Sequence, residues 1–255
     1  MKERRLIMGT PVTVEIVGGD SADLEPLFGY FSRIDEQFST YKSTSEVSRI
    51  NRGEVTPETY SPEMLEVLSL AARTERDTEG YFNVRTPDGI LDPSGIVKGW
   101  AVRNAAALAL LAGHTDYWVE AGGDIQVAGR NADGGLWSVG IRNPFNEKEV
   151  VKVVYLTDCG IATSGNYIRG NHIYNPHTGM PVLSAIVSIT VIGPDVYEAD
   201  RFATAAYAMG ENGISFIESL DGFEGYAIDI SGTATMTSGF SRYAVQPASG
   251  ANDTE

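Results

Sequence analysis

The sequence predicts an α+β fold, and three observations lead there. Segments with helical and with strand periodicity come in runs, not in strict alternation, which favours α+β over a doubly wound parallel sheet. The strand-like segments are short and separated by turn chemistry such as Asn131-Ala132-Asp133-Gly134-Gly135. A chain of 255 residues with a 42% hydrophobic share can bury a substantial core, and it contains no internal repeat or low-complexity linker.

Taken in order, Val12, Val14 and Ile16 alternate and predict a half-buried strand over 10–17, ended by Gly18-Gly19-Asp20. Leu24, Leu27, Phe28, Phe31, Ile34 and Phe38 fall on one face of an amphipathic helix. A Ser/Thr cluster opens a short helix around 45–51. Ser61-Pro62 joins an N-cap to a proline at the first helical position and starts a helix that stops at Gly80. Asp92-Pro93-Ser94-Gly95 opens a helix over 95–112, closed by Gly113. Short strands are expected at 117–120, 125–128, 136–142 and 150–156, and a loop-rich zone over 159–182. A strong strand from Ile186 to Ile192, a helix from about 197 to Gly210 and a strand pair at 225–230 and 233–240 complete the reading. Asp229 to Thr235 is the turn of that pair. The domain expectation is a single unit over 1–245 with a polar tail at 246–255.

The net charge of −15 argues against a nucleic-acid partner, because phosphate backbones are held by lysine and arginine stripes and the sequence has none. It also disfavours docking on an anionic membrane surface. An anionic small ligand is compatible only with a metal ion or backbone N–H groups to offset repulsion. Cys159, the single cysteine, leaves no internal disulfide and no cysteine-built zinc site, and reads as a small core residue. The apolar run Leu6-Ile7-Met8 is too short for a signal peptide, and no stretch is long enough for a transmembrane helix. The sequence as it stands therefore predicts a cytoplasmic protein.

Familiar chemical motifs are absent. No G-x-G-x-x-G follows a strand, Lys98 in GIVKGW lacks P-loop spacing, and there is no H-E-x-x-H. The serine in ATSGN lacks the nucleophile elbow, which argues against a serine hydrolase built on Ser164, His172 and Asp200. Four clusters remain. Asp92 and Lys98 flank a helix start, which suits a phosphate, although the spacing alone favours a capped helix with a solvated lysine. Glu120-Ala121-Gly122-Gly123-Asp124 reads as a tight turn or as a close approach of backbone to a ligand facing Asp124. Residues 162–179 hold His172 and His177 among glycines and hydroxyls, with His177 in a turn sequence and His172 either structural or functional. Asp200 and Thr204 stand at i and i+4 on one helix face, an oxygen pair suited to magnesium, unless Arg201 or helix capping satisfies the carboxylate.

Each cluster alone is weak, but their order along the chain is specific. The sequence resembles the FAD:protein FMN transferases, the ApbE-type flavin transferases, from Met8-Gly9-Thr10 to about residue 243. The resemblance rests on Ser39-Thr40-Tyr41, Ser45 to Asn51, Gly80-Tyr81-Phe82-Asn83, Asp92 to Gly99, Ala121 to Asp124, Trp137 to Pro144, Ala162 to Gly165, His172 to Gly179 and Ala199 to Ala205. It implies an ApbE-like α+β fold of mixed, mostly antiparallel sheets with packed helices, the FAD site lying between two subdomains. Met8, Tyr41, Tyr81, Phe82, Asn83, Asp92, Lys98, Asp124, Thr163, Ser164 and Ile173 are implied in FAD binding. Magnesium is implied at Asp200 and Thr204 with carbonyls of Gly95 and Ala203, and His172 is implied as the residue that activates the acceptor hydroxyl. The reaction implied is Mg-dependent transfer of FMN from FAD to a Ser/Thr hydroxyl of an acceptor protein, releasing AMP. A flavin-delivery protein and a magnesium-dependent FAD pyrophosphatase are the alternatives. Four departures mark this chain: Asn83 and Asn175 stand where the family usually has aspartate, Gly95 where it has alanine, and the stretch from Phe82 to Asp92 is shorter than in many members.

Overall fold

The computed structural model describes residues 1–165 and 173–245; the polar tail over 246–255 and the expected catalytic His172 lie outside the described residues. Twelve strands and six α-helices are present among the described residues. The N-terminal half runs β1 (Lys2–Ile7), β2 (Thr10–Ile16), α1 (Ser21–Phe38), α2 (Glu46–Asn51), α3 (Pro62–Asp77) and α4 (Ser94–Leu111). There follow β3 (Tyr117–Ala121), β4 (Asp124–Ala128), β5 (Trp137–Asn143), β6 (Asn146–Leu156) and β7 (Cys159–Gly165). The chain closes with β8 (Tyr174–Asn175), β9 (Met180–Pro181), β10 (Ile186–Gly193), α5 (Val196–Met209), α6 (Gly213–Glu218), β11 (Glu224–Asp229) and β12 (Ala234–Met236).

Eight strands form one sheet in the order β1-β2-β3-β4-β7-β10-β11-β12, antiparallel at every pairing. The fold is therefore α+β, as the segregated runs predict. Helices cover one face. Val12, Val14, Val119 and Ala121 pack with Leu24, Phe28, Phe31, Trp100 and Ala105 of α1 and α4 in one core cluster. The β5–β6 hairpin belongs to the cluster on the other face, where Trp137, Val139, Ile141 and Val154 meet Ile125, Ile161 and Ile228.

Helix starts follow the local chemistry. Asp20 caps α1 by a reciprocal capping box with Asp23, and Ser61 caps α3 by accepting from the Met64 N–H. The region expected to be loop-rich from residue 159 instead begins with β7, a central strand. Its residues Cys-Gly-Ile-Ala-Thr-Ser-Gly are small because α5 lies directly upon it: a Cβ on Gly160 would fall 2.0 Å from the Val196 amide nitrogen. Ala162 meets Ala199 and Ala203 of α5, while Cys159 and Ile161 face the hairpin. A strand buried on both faces loses the polar alternation by which strands are recognised. The last strand is shorter than the expected 233–240. Only Ala234–Met236 pair with β11, and Phe240–Tyr243 form a turn of 3-10 helix. β1 is an unforeseen edge strand whose charged sequence, KERRLI, obscures it.

Candidate active site

A cleft of about 510 Å³ opens where the end of β7, the start of α4 and the first half of α5 converge. That size is usual for a small-molecule site. Its walls come from the β1–β2 turn and the start of β2 (Gly9, Thr10, Pro11), the loop before α4 (Tyr81, Phe82, Asn83, Asp92), α4 itself (Ser94, Gly95, Lys98) and the segment around Tyr174. Thr163, Ser164 and Gly165 of β7 and Asp200 and Thr204 of α5 complete them.

Each polar group has an identifiable support. Asp92 accepts a hydrogen bond from the Ser94 N–H at 3.0 Å, so it caps the start of α4 while lining the cleft. The loop that carries it is held by Asn51, whose amide donates to the Leu91 carbonyl and whose oxygen accepts from the Leu91 N–H, both at 2.9 Å. Asp200 is 5% exposed, and its Oδ2 accepts from the Gly99 N–H at 2.9 Å. Arg201 does not satisfy it. That guanidinium turns away to Glu198 and, at 2.8 Å, to Asp77. Lys98 is not simply solvated: it forms an ion pair with Asp124, and its Nζ lies 3.6 Å from Asp200 Oδ1. The Ser164 and Thr204 hydroxyls are 3.3 Å apart, and Thr163 shares a 2.8 Å hydrogen bond with Thr190. Burial, then the carboxylates of Asp92 and Asp88, raise the Tyr174 phenol above its ordinary value, so at neutral pH it is a neutral hydroxyl.

The two asparagines each use the side-chain oxygen as an acceptor. Asn83 Oδ1 accepts from the Arg85 N–H at 2.8 Å, and Asn175 Oδ1 from the His177 N–H at 2.9 Å. Both are side-chain turns that need only a carbonyl oxygen. At Gly95, a methyl would lie 3.2 Å from the Phe82 ring and 3.6 Å from Thr204 Cγ2.

Of the residues expected at the site, Tyr81, Phe82, Asn83, Asp92, Gly95, Lys98, Thr163, Ser164, Ile173, Asp200 and Thr204 line this one cleft. Four are placed elsewhere. Tyr41 is 98% exposed after α1, and Met8 packs against the helical core beside the cleft-lining Gly9. Ala203 is fully buried within α5. Asp124 sits behind the wall, and the turn before it explains why: Gly122 and Gly123 both have positive φ (59° and 97°) and close a two-residue hairpin. The tight-turn reading of that glycine pair is the one formed, and Gly122 also lines the cleft. Thr86, Pro87, Tyr174 and Pro176 line it without having been singled out. His177 lies in a turn, edge-on to the Tyr81 ring at 4.5 Å between centroids, and so braces a wall residue.

The donor set suits a hard cation. Among the described residues no three His, Cys, Asp or Glu side chains gather as a metal site. The cleft instead offers one buried carboxylate, Asp200, with the Thr204 and Ser164 hydroxyls beside it and Gly95 backbone near Thr204. All are oxygen donors of the kind magnesium takes while keeping several waters.

The fold and cleft define a class: an antiparallel α+β protein whose site joins a helix start, a half-buried lysine and an oxygen-rich α5. The chain belongs to the ApbE family, matching it over residues 8–88 and 85–227. It is 28% identical over 263 residues to the FAD:protein FMN transferase of Vibrio cholerae, covering 76% of this chain and 79% of that protein. Against the FAD:protein FMN transferase of Haemophilus influenzae it is 27% identical over 242 residues, covering 70% of each. The solved flavin transferase ApbE from Vibrio cholerae superposes with a TM-score of 0.82 at 25% identity, over 95% of this chain and 99% of that one. The ApbE protein from Thermotoga maritima superposes at 0.83 with 22% identity, over 96% and 99%. Among the described residues no helix is long and apolar enough to cross a membrane.

Proposed function

We propose that this chain is a FAD:protein FMN transferase, as its named relatives are, and that it moves FMN from FAD to a serine or threonine hydroxyl of an acceptor protein. The acceptor oxygen bonds to the FMN-side phosphorus, the bridging P–O bond breaks, and AMP leaves. The observation that carries this reading is the convergence of Asp92, Lys98, Thr163, Ser164, Asp200 and Thr204 from four separate segments on one cleft.

In this reading Lys98 places a cation against the diphosphate, offsetting the repulsion expected of a protein with net charge −15. Tyr81, Phe82 and Ile173 supply apolar wall for the flavin or adenine. Asp200 and Thr204, with the Gly95 carbonyl, would hold a magnesium ion, which when bound neutralises charge that builds on the leaving phosphate. His172 takes the proton of the attacking hydroxyl, which requires a neutral imidazole.

The test is incubation with FAD, magnesium and a flavin-acceptor protein, followed by intact mass. A gain equal to FMN with matching AMP is expected, and chelator or Asp200→Ala should abolish it. AMP release with no labelled acceptor, across several acceptors, would turn the reading to an FAD pyrophosphatase.

A further inference from the structure

Two small hairpins make one side of the cleft. The first spans 84–92: Arg85 pairs antiparallel with Leu91, and the Gly89 N–H closes its turn on the Thr86 carbonyl at 2.8 Å. Its base is anchored, since Phe82 and Leu91 are buried in the helical core. Its tip is not: Pro87, Asp88, Gly89 and Ile90 are exposed, although Thr86 and Pro87 line the cleft. The second hairpin is β8–β9, whose Tyr174 and Pro176 line the same cleft. It meets the segment from Tyr81 onward at three places. His177 lies against the Tyr81 ring, and Gly179 runs so close to Pro87 that an added Cβ would lie 3.6 Å from it. Third, the Tyr174 hydroxyl donates to the Arg85 carbonyl. Among the described residues this is the one hydrogen bond that joins the two hairpins.

The bond is exposed to solvent, so in the free protein water competes for both partners and little global stability rests on it. A ligand in the cleft would cover it. Water could then no longer replace the phenol on the Arg85 carbonyl, and the bond would gain weight. A tip free to move also weakens apparent affinity, by the fraction of time it stands away from the binding position. We infer that Tyr174 is a positioning residue: its hydroxyl latches the 84–92 hairpin to β8–β9 and so holds Thr86 and Pro87 in the wall that FAD meets. The inference rests on the reading that FAD occupies this cleft.

The test compares the whole chain with Tyr174→Phe, which keeps the ring and removes only the latch. FAD affinity is read from flavin fluorescence, and hairpin opening from hydrogen exchange of the 83–92 amides in protein without FAD. Tyr174→Phe should bind FAD about threefold to tenfold more weakly, the worth of one hydrogen bond. The KM for FAD in FMN transfer should rise by the same factor, with kcat changed by less than about twofold. The 83–92 amides should exchange faster, and the thermal midpoint should stay within about 2 °C of wild type, because the hairpin opens locally. Unchanged affinity overturns the inference, since the latch then has no use in binding. Unchanged exchange also overturns it, since the hydroxyl then acts on FAD itself. A midpoint lowered by more than that, or a fall in kcat in place of the rise in KM, marks a structural tyrosine and overturns it too. Failure of wild type to bind FAD, or binding that leaves the 83–92 amides unprotected, is a separate result. It refutes FAD as the ligand of this wall and the inference with it, while faster exchange in Tyr174→Phe would still show the latch.

Discussion

Gly99→Ala sets two ordinary effects against each other at the centre of the site. Gly99 lies inside α4, where alanine is favoured over glycine by about 0.8–1.0 kcal/mol. Yet a methyl there would stand 2.7 Å from Asp200 Cβ, 2.9 Å from Asp200 Oδ2 and 3.0 Å from the Val196 carbonyl oxygen. Two of those three atoms belong to the carboxylate residue that the Gly99 N–H holds, so α4 and α5 must part or Asp200 must turn. Overpacking of this kind costs about 1–3 kcal/mol. Losing the N–H bond to a buried carboxylate costs about 1.5–3 kcal/mol more. Crowding therefore outweighs propensity, with a net loss of about 2–5 kcal/mol. Urea unfolding should show a lower midpoint at unchanged slope, and FMN transfer should fall with it as Asp200 moves. A variant about 1 kcal/mol more stable than wild type, with full transfer activity, would refute the close α4–α5 approach on which the site description rests.

Other outcomes follow from single contacts. Arg201→Met removes the buried guanidinium but leaves Asp77 and Glu198 beside Arg73, at 3.4 and 3.6 Å, so the loss in urea unfolding should be about 1–3 kcal/mol; a change under about 0.5 kcal/mol would mean the network is idle. Asn51→Ala removes both bonds to Leu91 and frees the loop bearing Asp92, so the KM for FAD should rise more than kcat falls, and an unchanged KM would contradict the clamp. Burial pushes the Cys159 thiol from 9.0 up to about 12, so the folded protein should resist alkylation at pH 8.5 and react only once denatured. The raised value also means that this thiol's contribution to stability is complete below about 9 and lost as pH climbs toward about 12, which a Cys159→Ala variant should not display.

Much of this architecture is legible from local chemistry. The stripe from Leu24 to Phe38, the Ser61-Pro62 start and the Val12-Val14-Ile16 alternation each form the expected element because one face is buried and the other wet. β7 escapes because its neighbours, not its own period, determine it. Only a strand overlain by α5 needs Gly160 and Ala162, and nothing in those letters announces the helix above. β1 escapes for the opposite reason, since its charges are those of an edge: Arg5 reaches Glu25 of α1 and lies over the Phe28 ring at 4.2 Å. In the site, residue types were readable, but depth was not. Asp92, Lys98 and Asp124 read as three polar residues near turns. Only the packed sheet decides that Asp92 faces the cleft while Asp124 stands behind Lys98.

The two asparagines separate what geometry requires from what charge supplies. A side-chain turn at 83 or 175 needs one acceptor oxygen, and the bonds to the Arg85 and His177 amides give each asparagine that use. A carboxylate would make the same bond and bring a negative charge to the rim as well. An acid more than about 8 Å from a bound anion is largely screened at physiological salt and weighs little on it. Rim charges are not screened in this way, because Asn83 lines the cleft and Asn175 sits between the lining residues Tyr174 and Pro176. Neutral side chains there lower the local repulsion against a diphosphate without disturbing either turn. The burden on Lys98 and on any ion at Asp200 is correspondingly smaller than an aspartate at either position would make it. Asn83→Asp should accordingly leave unfolding unchanged and raise the KM for FAD, most at low salt. A KM that does not move with salt would show that the turn, and not the charge, is what position 83 contributes.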